Sequence, residues 1–136
     1  MRVVFPDGTA VRASPLAARG AEACDFGLYL DARWAPTWPA AVVEWEDFGV
    51  PREPDAAAVA IQDAFARARA GETVEVGCVG GLGRTGTVLA CMAILAGVPS
   101  ADAVTWVRER YDERAIETRA QEDWPLWFAV RSGLGA

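Results

Sequence analysis

The chain has 136 residues and a formal net charge of −6, and its 13 basic side chains are all arginine, with no His, Lys or Asn anywhere. Without His there is no Ser-His-Asp or Cys-His triad and no His-ligated zinc; without Lys there is no Schiff base and no Walker lysine, so an anion site must rely on Arg and backbone amides. The acidic balance argues against nucleic-acid binding, which needs clustered positive charge.

In chain order, residues 2 to 13 (RVVFPDGTAVRA) hold two β-prone runs around Pro6-Asp7-Gly8, the pattern of an N-terminal hairpin within residues 1–13. A loop rich in Ala, Pro and Gly follows. Phe26 to Leu30 and Ala40 to Trp45 are short apolar runs that predict buried strands, with WAPTWP as the loop between them. Asp55 to Ala70 carries apolar residues at helical spacing and is closed by Gly71, and Thr73 to Val76 gives a further strand. After Arg84 the pattern is helical in three pieces, separated by Gly97-Val98-Pro99 and by Asp112 to Ala115. Ser100 is placed to cap the second piece, on which Val104, Val107 and Tyr111 share a face, and Thr118 opens the third. The length suits a single domain, 1–136, with no internal repeat.

Three cysteines, Cys24, Cys78 and Cys91, are an odd number without C-x-x-C spacing, which indicates neither a disulfide framework nor a Cys-only zinc site. The apolar run in MRVVFPDG is too short for a signal-peptide core, and Val88 to Val98 is too short to span a bilayer. A cytoplasmic location is expected.

The informative stretch is Val74 to Thr87, VEVGCVGGLGRTGT: a strand runs into Cys78, a glycine-rich turn follows, and Arg84 and Thr85 open a helix. Such a turn can direct successive N–H groups at a common centre at a helix N-terminus, which makes an anion nest. Arg84 adds a planar fork suited to two phosphate oxygens. A cysteine at the start of the loop sits in the same positive field, which favours the thiolate.

On these residues the chain resembles the cysteine-dependent protein tyrosine and dual-specificity phosphatases, whose signature is Cys, five residues, Arg, then Ser or Thr. The stretch CVGGLGRTGT is most similar to the kinase-associated and bacterial dual-specificity branch. Trp45-Glu46-Asp47-Phe48-Gly49-Val50-Pro51 is similar to the family's mobile acid loop, with Glu46 where Pro is usual, and Ala115 to Gln121 is similar to the segment that carries its water-positioning glutamine. The resemblance implies Cys78 as nucleophile, with Val79, Gly80, Gly81, Leu82, Gly83 and Arg84 binding phosphate. It further implies Asp47 as general acid and then base, Thr85 as hydrogen-bond donor to the thiolate, and Gln121 in the hydrolysis step. Thr118-x-x-Gln121 is also a capping box, so Gln121 has two readings. Cys91 and the tryptophans at 34, 38, 106, 124 and 127 are expected to serve packing. The family usually has His directly before its cysteine, and here that residue is Gly77.

The expected architecture is one α/β domain with a small mixed or mostly parallel sheet, helices on both faces, and the Cys78 loop at the carboxyl end of a central strand. The resemblance implies a hydrolase acting on phosphotyrosine, and on phosphoserine or phosphothreonine, with a phosphorylated protein or peptide as substrate and no cofactor or metal. A monomer that binds neither nucleic acid nor membrane is expected. A non-catalytic phosphate-binding module and a phosphatase for a small-molecule phosphate are the alternatives. The loop residues Val79 to Gly83 lack a basic side chain, whereas relatives acting on inositol phosphates usually carry Lys there, which favours a phosphoprotein.

Overall fold

A computed structural model describes residues 1–16, 22–33 and 36–135. Arg2–Val4 (β1) and Ala10–Pro15 (β2) pair antiparallel around a turn in which Gly8 takes φ +88° and the Thr9 N–H donates to the Asp7 carboxylate. Of the Ala-, Pro- and Gly-rich loop that follows, residues 17–21 lie outside the described residues, as do Trp34 and Ala35 of the WAPTWP segment.

Phe26–Tyr29 (β3), Ala40–Val42 (β4) and Val74–Cys78 (β5) complete a five-stranded sheet in the order β1-β2-β5-β3-β4, parallel except for the β1–β2 pair. β5 is central and buried along its whole length, on both faces, although its sequence alternates Val74, Val76 and Cys78 with Glu75 and Gly77. β4 ends three residues before the expected Trp45. The chain turns there because Trp45 forms an isolated antiparallel bridge with Pro51, which closes residues 45–51 into a loop.

Strand register sorts the side chains into two faces. Val11, Ala13, Phe26, Leu28, Val74, Val76 and Cys78 share the face that belongs to the apolar core. Arg12, Gly27, Tyr29, Glu75 and Gly77 share the other.

The helices are Pro54–Arg69 (α1), Gly83–Leu95 (α2), Ala103–Arg110 (α3) and Arg119–Arg131 (α4). Helix α1 starts on a proline whose missing N–H costs nothing in the first turn, and it stops where Gly71 adopts φ +98°. Its buried residues Ala57, Ala58, Ile61, Ala64, Phe65 and Ala68 form one stripe, and Phe65 meets Phe5 edge-on at 5.6 Å. Burial of a side chain such as Ile61 or Phe65 contributes about 1.5–3 kcal/mol. Helix α2 is buried over nearly its whole length and is in contact with α1, α3 and α4.

Because every helix reaches the others through α2, the described helices lie on one face of the sheet, not on both. The opposite face carries a buried ion pair, Arg12–Glu75 at 3.0 Å, and it is sealed by chain. Arg12 donates to the Glu22 and Ala23 carbonyls, and the Trp38 indole N–H donates to the Tyr29 hydroxyl. A charged pair needs hydrogen-bonding partners that an apolar helix stripe cannot supply. Ser100 also departs from its expected role. It begins a short 3₁₀ turn, Ser100–Asp102, with Pro99 in the capping position and no side-chain cap.

Candidate active site

Strand β5 delivers Cys78 to the carboxyl edge of the sheet, and α2 begins five residues later at Gly83. The connecting loop is shaped by close approaches that exclude side chains. Gly81 takes φ +70°, and a Cβ on it would sit 3.0–3.1 Å from Pro15. A Cβ on Gly83 would lie 2.4 Å from Glu117 Oε1 and 3.0 Å from Gln121 Oε1, so this glycine lets residues 117–121 close against the loop.

The loop carbonyls are tied outward. Gly81 O accepts from the Tyr111 hydroxyl, Leu82 O from the N–H groups of Gly86 and Ile116 at 2.9 and 3.2 Å, and Gly83 O from the Thr87 hydroxyl at 2.8 Å. The N–H groups of Val79, Gly80, Gly81 and Leu82 donate to no atom of the described residues. Helix α2 has no side-chain cap, so its N-terminal amides and dipole add to the same field. This arrangement leaves a ring of donors open to an anion.

Arg84 lies buried beneath this ring. Its Nη1 donates to the carbonyls of Leu30 and Trp45 at 2.7 and 2.8 Å, and its Nη2 lies 4.0 Å from Asp31 Oδ2. Among the described residues, Arg84 Nε is the one buried side-chain nitrogen or oxygen without a hydrogen-bond partner. Asp47 Oδ1 stands 3.8 Å from it, too far for a hydrogen bond. A buried N–H left unmatched costs about 1–3 kcal/mol, which an arriving oxyanion would recover.

Cys78 is 2% exposed, and its sulfur accepts a hydrogen bond from the Thr85 hydroxyl at 3.0 Å. Asp47 is exposed at the rim, and one of its oxygens accepts from the Phe48 N–H. Phe48 itself is strained, at φ +61°. Gln121 is fully buried and uses both ends of its amide. Oε1 accepts from the Glu117 N–H at 2.9 Å, and Nε2 donates to the Gly49 carbonyl at 3.0 Å. Thr118 does cap α4, accepting from the Gln121 N–H at 3.3 Å, but the reciprocal bond goes to Glu117, one residue before the cap. Gly49 O also accepts from the Trp45 indole at 2.7 Å, so one carbonyl anchors the whole 45–51 loop. The structure thus brings Cys78, Arg84, Thr85, Asp47 and Gln121 to one site, although Asp47 and Gln121 are both distant from Cys78 in sequence.

Gly77 has a structural cause. A Cβ there would come 2.8 Å from Leu16 Cδ2, so Leu16 occupies the space that a side chain before Cys78 would need. Cys91 is completely buried, and burial pushes its thiol well above the ordinary range. Cys78 and Cys91 form no disulfide, and among the described residues no cluster of three or more His, Cys, Asp or Glu side chains could hold a metal. No described helix is long and apolar enough to cross a membrane.

Sequence reasoning missed Asp31 and the Tyr111 hydrogen bond to the loop. Asp31 is buried beside Arg84, and the Arg33 guanidinium grips both of its oxygens, at 2.9 and 2.7 Å. That grip, with Arg84 adding to it, holds the Asp31 carboxyl down at about 2. Its signal was its position just past the carboxyl end of a predicted strand, where ligand sites of parallel sheets gather.

No established family profile matches the chain. Two uncharacterised proteins of Methanocaldococcus jannaschii, MJ0215 and MJECL20, are each 37% identical over 111 residues, covering 74% of this chain and 68% and 74% of theirs. Human DUSP28 superposes with a TM-score of 0.73 at 17% identity, covering 98% of this chain and 99% of that one. Tk-PTP in its active form gives 0.68 at 24%, covering 79% and 80%. A kinase-associated phosphatase whose catalytic-site cysteine is replaced by serine gives 0.61 at 18%, covering 71% and 55%. The chain belongs to the family of the two Methanocaldococcus proteins and has the fold of the cysteine-dependent tyrosine and dual-specificity phosphatases. In this fold the Cys78 loop is the strand-to-helix turn at the sheet's carboxyl edge, and residues 45–51 form a bridged loop from which Asp47 faces Arg84.

Proposed function

We propose that the protein is a phosphoprotein phosphatase that hydrolyses phosphotyrosine, with phosphoserine and phosphothreonine as secondary substrates, through a cysteinyl-phosphate intermediate on Cys78. The observation that carries this reading is the buried Arg84 Nε beside a loop of amides, all without a partner among the described residues, with the Thr85-bonded Cys78 at its base. Donors left open in this way match the three equatorial oxygens of a transferring phosphoryl group.

In the first step the Cys78 thiolate attacks phosphorus, the P–S bond forms, and the ester P–O bond breaks. Asp47, as the acid, gives its proton to the departing oxygen. In the second step water attacks phosphorus, the Asp47 carboxylate takes its proton, and the P–S bond breaks to return the thiolate. Thr85 stabilises the sulfur as it leaves. Every step uses a group of this chain, and inorganic phosphate is the product.

The cleft at the site measures about 370 Å³ and is lined by Asp31, Arg33, Trp45, Asp47, Val79 and Arg84, among others. Its size suits an aromatic phosphate. The lack of a basic side chain from Val79 to Gly83 favours a phosphorylated side chain over a polyphosphorylated small molecule. Hydrolysis of para-nitrophenyl phosphate and of phosphopeptides by wild type, Cys78→Ser and Asp47→Ala tests the proposal. Cys78→Ser is expected to abolish turnover, and Asp47→Ala to slow it about 10²–10⁴-fold. Turnover by Cys78→Ser equal to wild type would exclude the covalent route.

A further inference from the structure

We propose that Tyr111 is a positioning residue that holds the Cys78 loop open to phosphate by tying down the Gly81 carbonyl; this rests on the phosphate-binding reading of the loop. Tyr111 ends α3, where its N–H still bonds the Val107 carbonyl at 2.8 Å while its half-buried side chain turns to the loop and donates its hydroxyl proton to Gly81 O. In a planar trans peptide the carbonyl and the following N–H point in opposite directions. A Gly81 carbonyl drawn toward Tyr111 therefore turns the Leu82 N–H the other way, and that N–H donates to no atom of the described residues.

Two other carbonyls of the turn each have a donor within α2 itself, Gly86 N–H for Leu82 O and the Thr87 hydroxyl for Gly83 O. Gly81 O is held by a side chain 30 residues away, across a peptide that glycine leaves free to rotate. Gly81 must be glycine, because its φ is +70° and Pro15 fills the space where a Cβ would project. The loop thus obtains from α3 the restraint that its own sequence cannot provide. Burial, with the charge of the nearby Cys78 sulfur, pushes the Tyr111 hydroxyl up to about 12, so it remains a donor throughout the neutral range.

Tyr111→Phe removes this one donor and keeps the ring. Titration of the full-length protein with inorganic phosphate, and separately with tungstate, is read by calorimetry beside thermal melting and para-nitrophenyl phosphate kinetics. Tyr111→Phe is expected to weaken binding of both anions about 5- to 15-fold, with a matching fall in kcat/KM and little change in Tm. Tyr111→Met, which keeps apolar volume without a donor, is expected to show the same loss should the phenylalanine variant fail to fold. Anion affinity within twofold of wild type in the folded variant overturns the proposal, even if Tm falls. A wild type that binds phosphate without turnover removes the enzymatic reading and leaves this one standing. A wild type that binds neither anion overturns both.

Discussion

The Thr85 hydroxyl donates to the Cys78 sulfur across 3.0 Å, with both residues buried. A hydrogen bond to a charged acceptor is worth about 1.5–3 kcal/mol, which corresponds to roughly 10- to 100-fold in rate. If the bond serves the sulfur as it leaves, Thr85→Ala slows breakdown of the phosphoenzyme more than its formation. Rapid-quench kinetics should then show a larger burst followed by a slower steady state. Equal slowing of both phases would place the hydroxyl's contribution before the intermediate.

Gln121 reaches 72 residues back to the Gly49 carbonyl, which Trp45 Nε1 also holds. Gln121→Met keeps the buried volume and loses both amide bonds, leaving the Glu117 N–H unmatched; a stability loss of about 1–3 kcal/mol is expected. Because the two donors share one carbonyl, Trp45→Phe and Gln121→Met should be non-additive in kcat. A double-mutant cycle with no coupling would show that residues 45–51 are not held through Gly49.

Asp31 is held at about 2 chiefly by Arg33. A folded-state value below the ordinary 3.8 means that its contribution to stability is complete above that value and is lost as pH falls toward about 2. Asp31→Asn should therefore lower Tm at pH 6 and converge with wild type near pH 2. It should also raise KM several-fold through loss of its restraint on Arg84. A Tm gap that stays constant down to pH 2 would contradict the assignment.

Gly77→Ala places a methyl group 2.8 Å from Leu16 Cδ2, and the end of a leucine side chain can move aside at modest cost. A loss of about 1–2 kcal/mol is expected, recovered in part by Leu16→Ala in the same chain. If the double variant is no more stable than Gly77→Ala alone, Leu16 is not what confines position 77.

Consecutive residues are enough to specify the Cys78–Arg84–Thr85 turn, the 45–51 loop, the helix stops at glycine and a buried central strand. Those features are local, because turn chemistry, caps and short-range spacing act within a few residues of chain. Tertiary structure decided the rest. Asp31 enters the site only because β3 lies beside β5, Tyr111 only because α3 ends against Gly81, and Gln121 only because α4 packs over the Gly49 carbonyl. The restriction of the described helices to one face likewise follows from the Arg12–Glu75 pair meeting across β2 and β5, 63 residues apart. Each of these is a long-range hydrogen bond or charge pairing whose partner is chosen by strand register and helix packing. Such a contact leaves no periodic trace in the residues on either side of it.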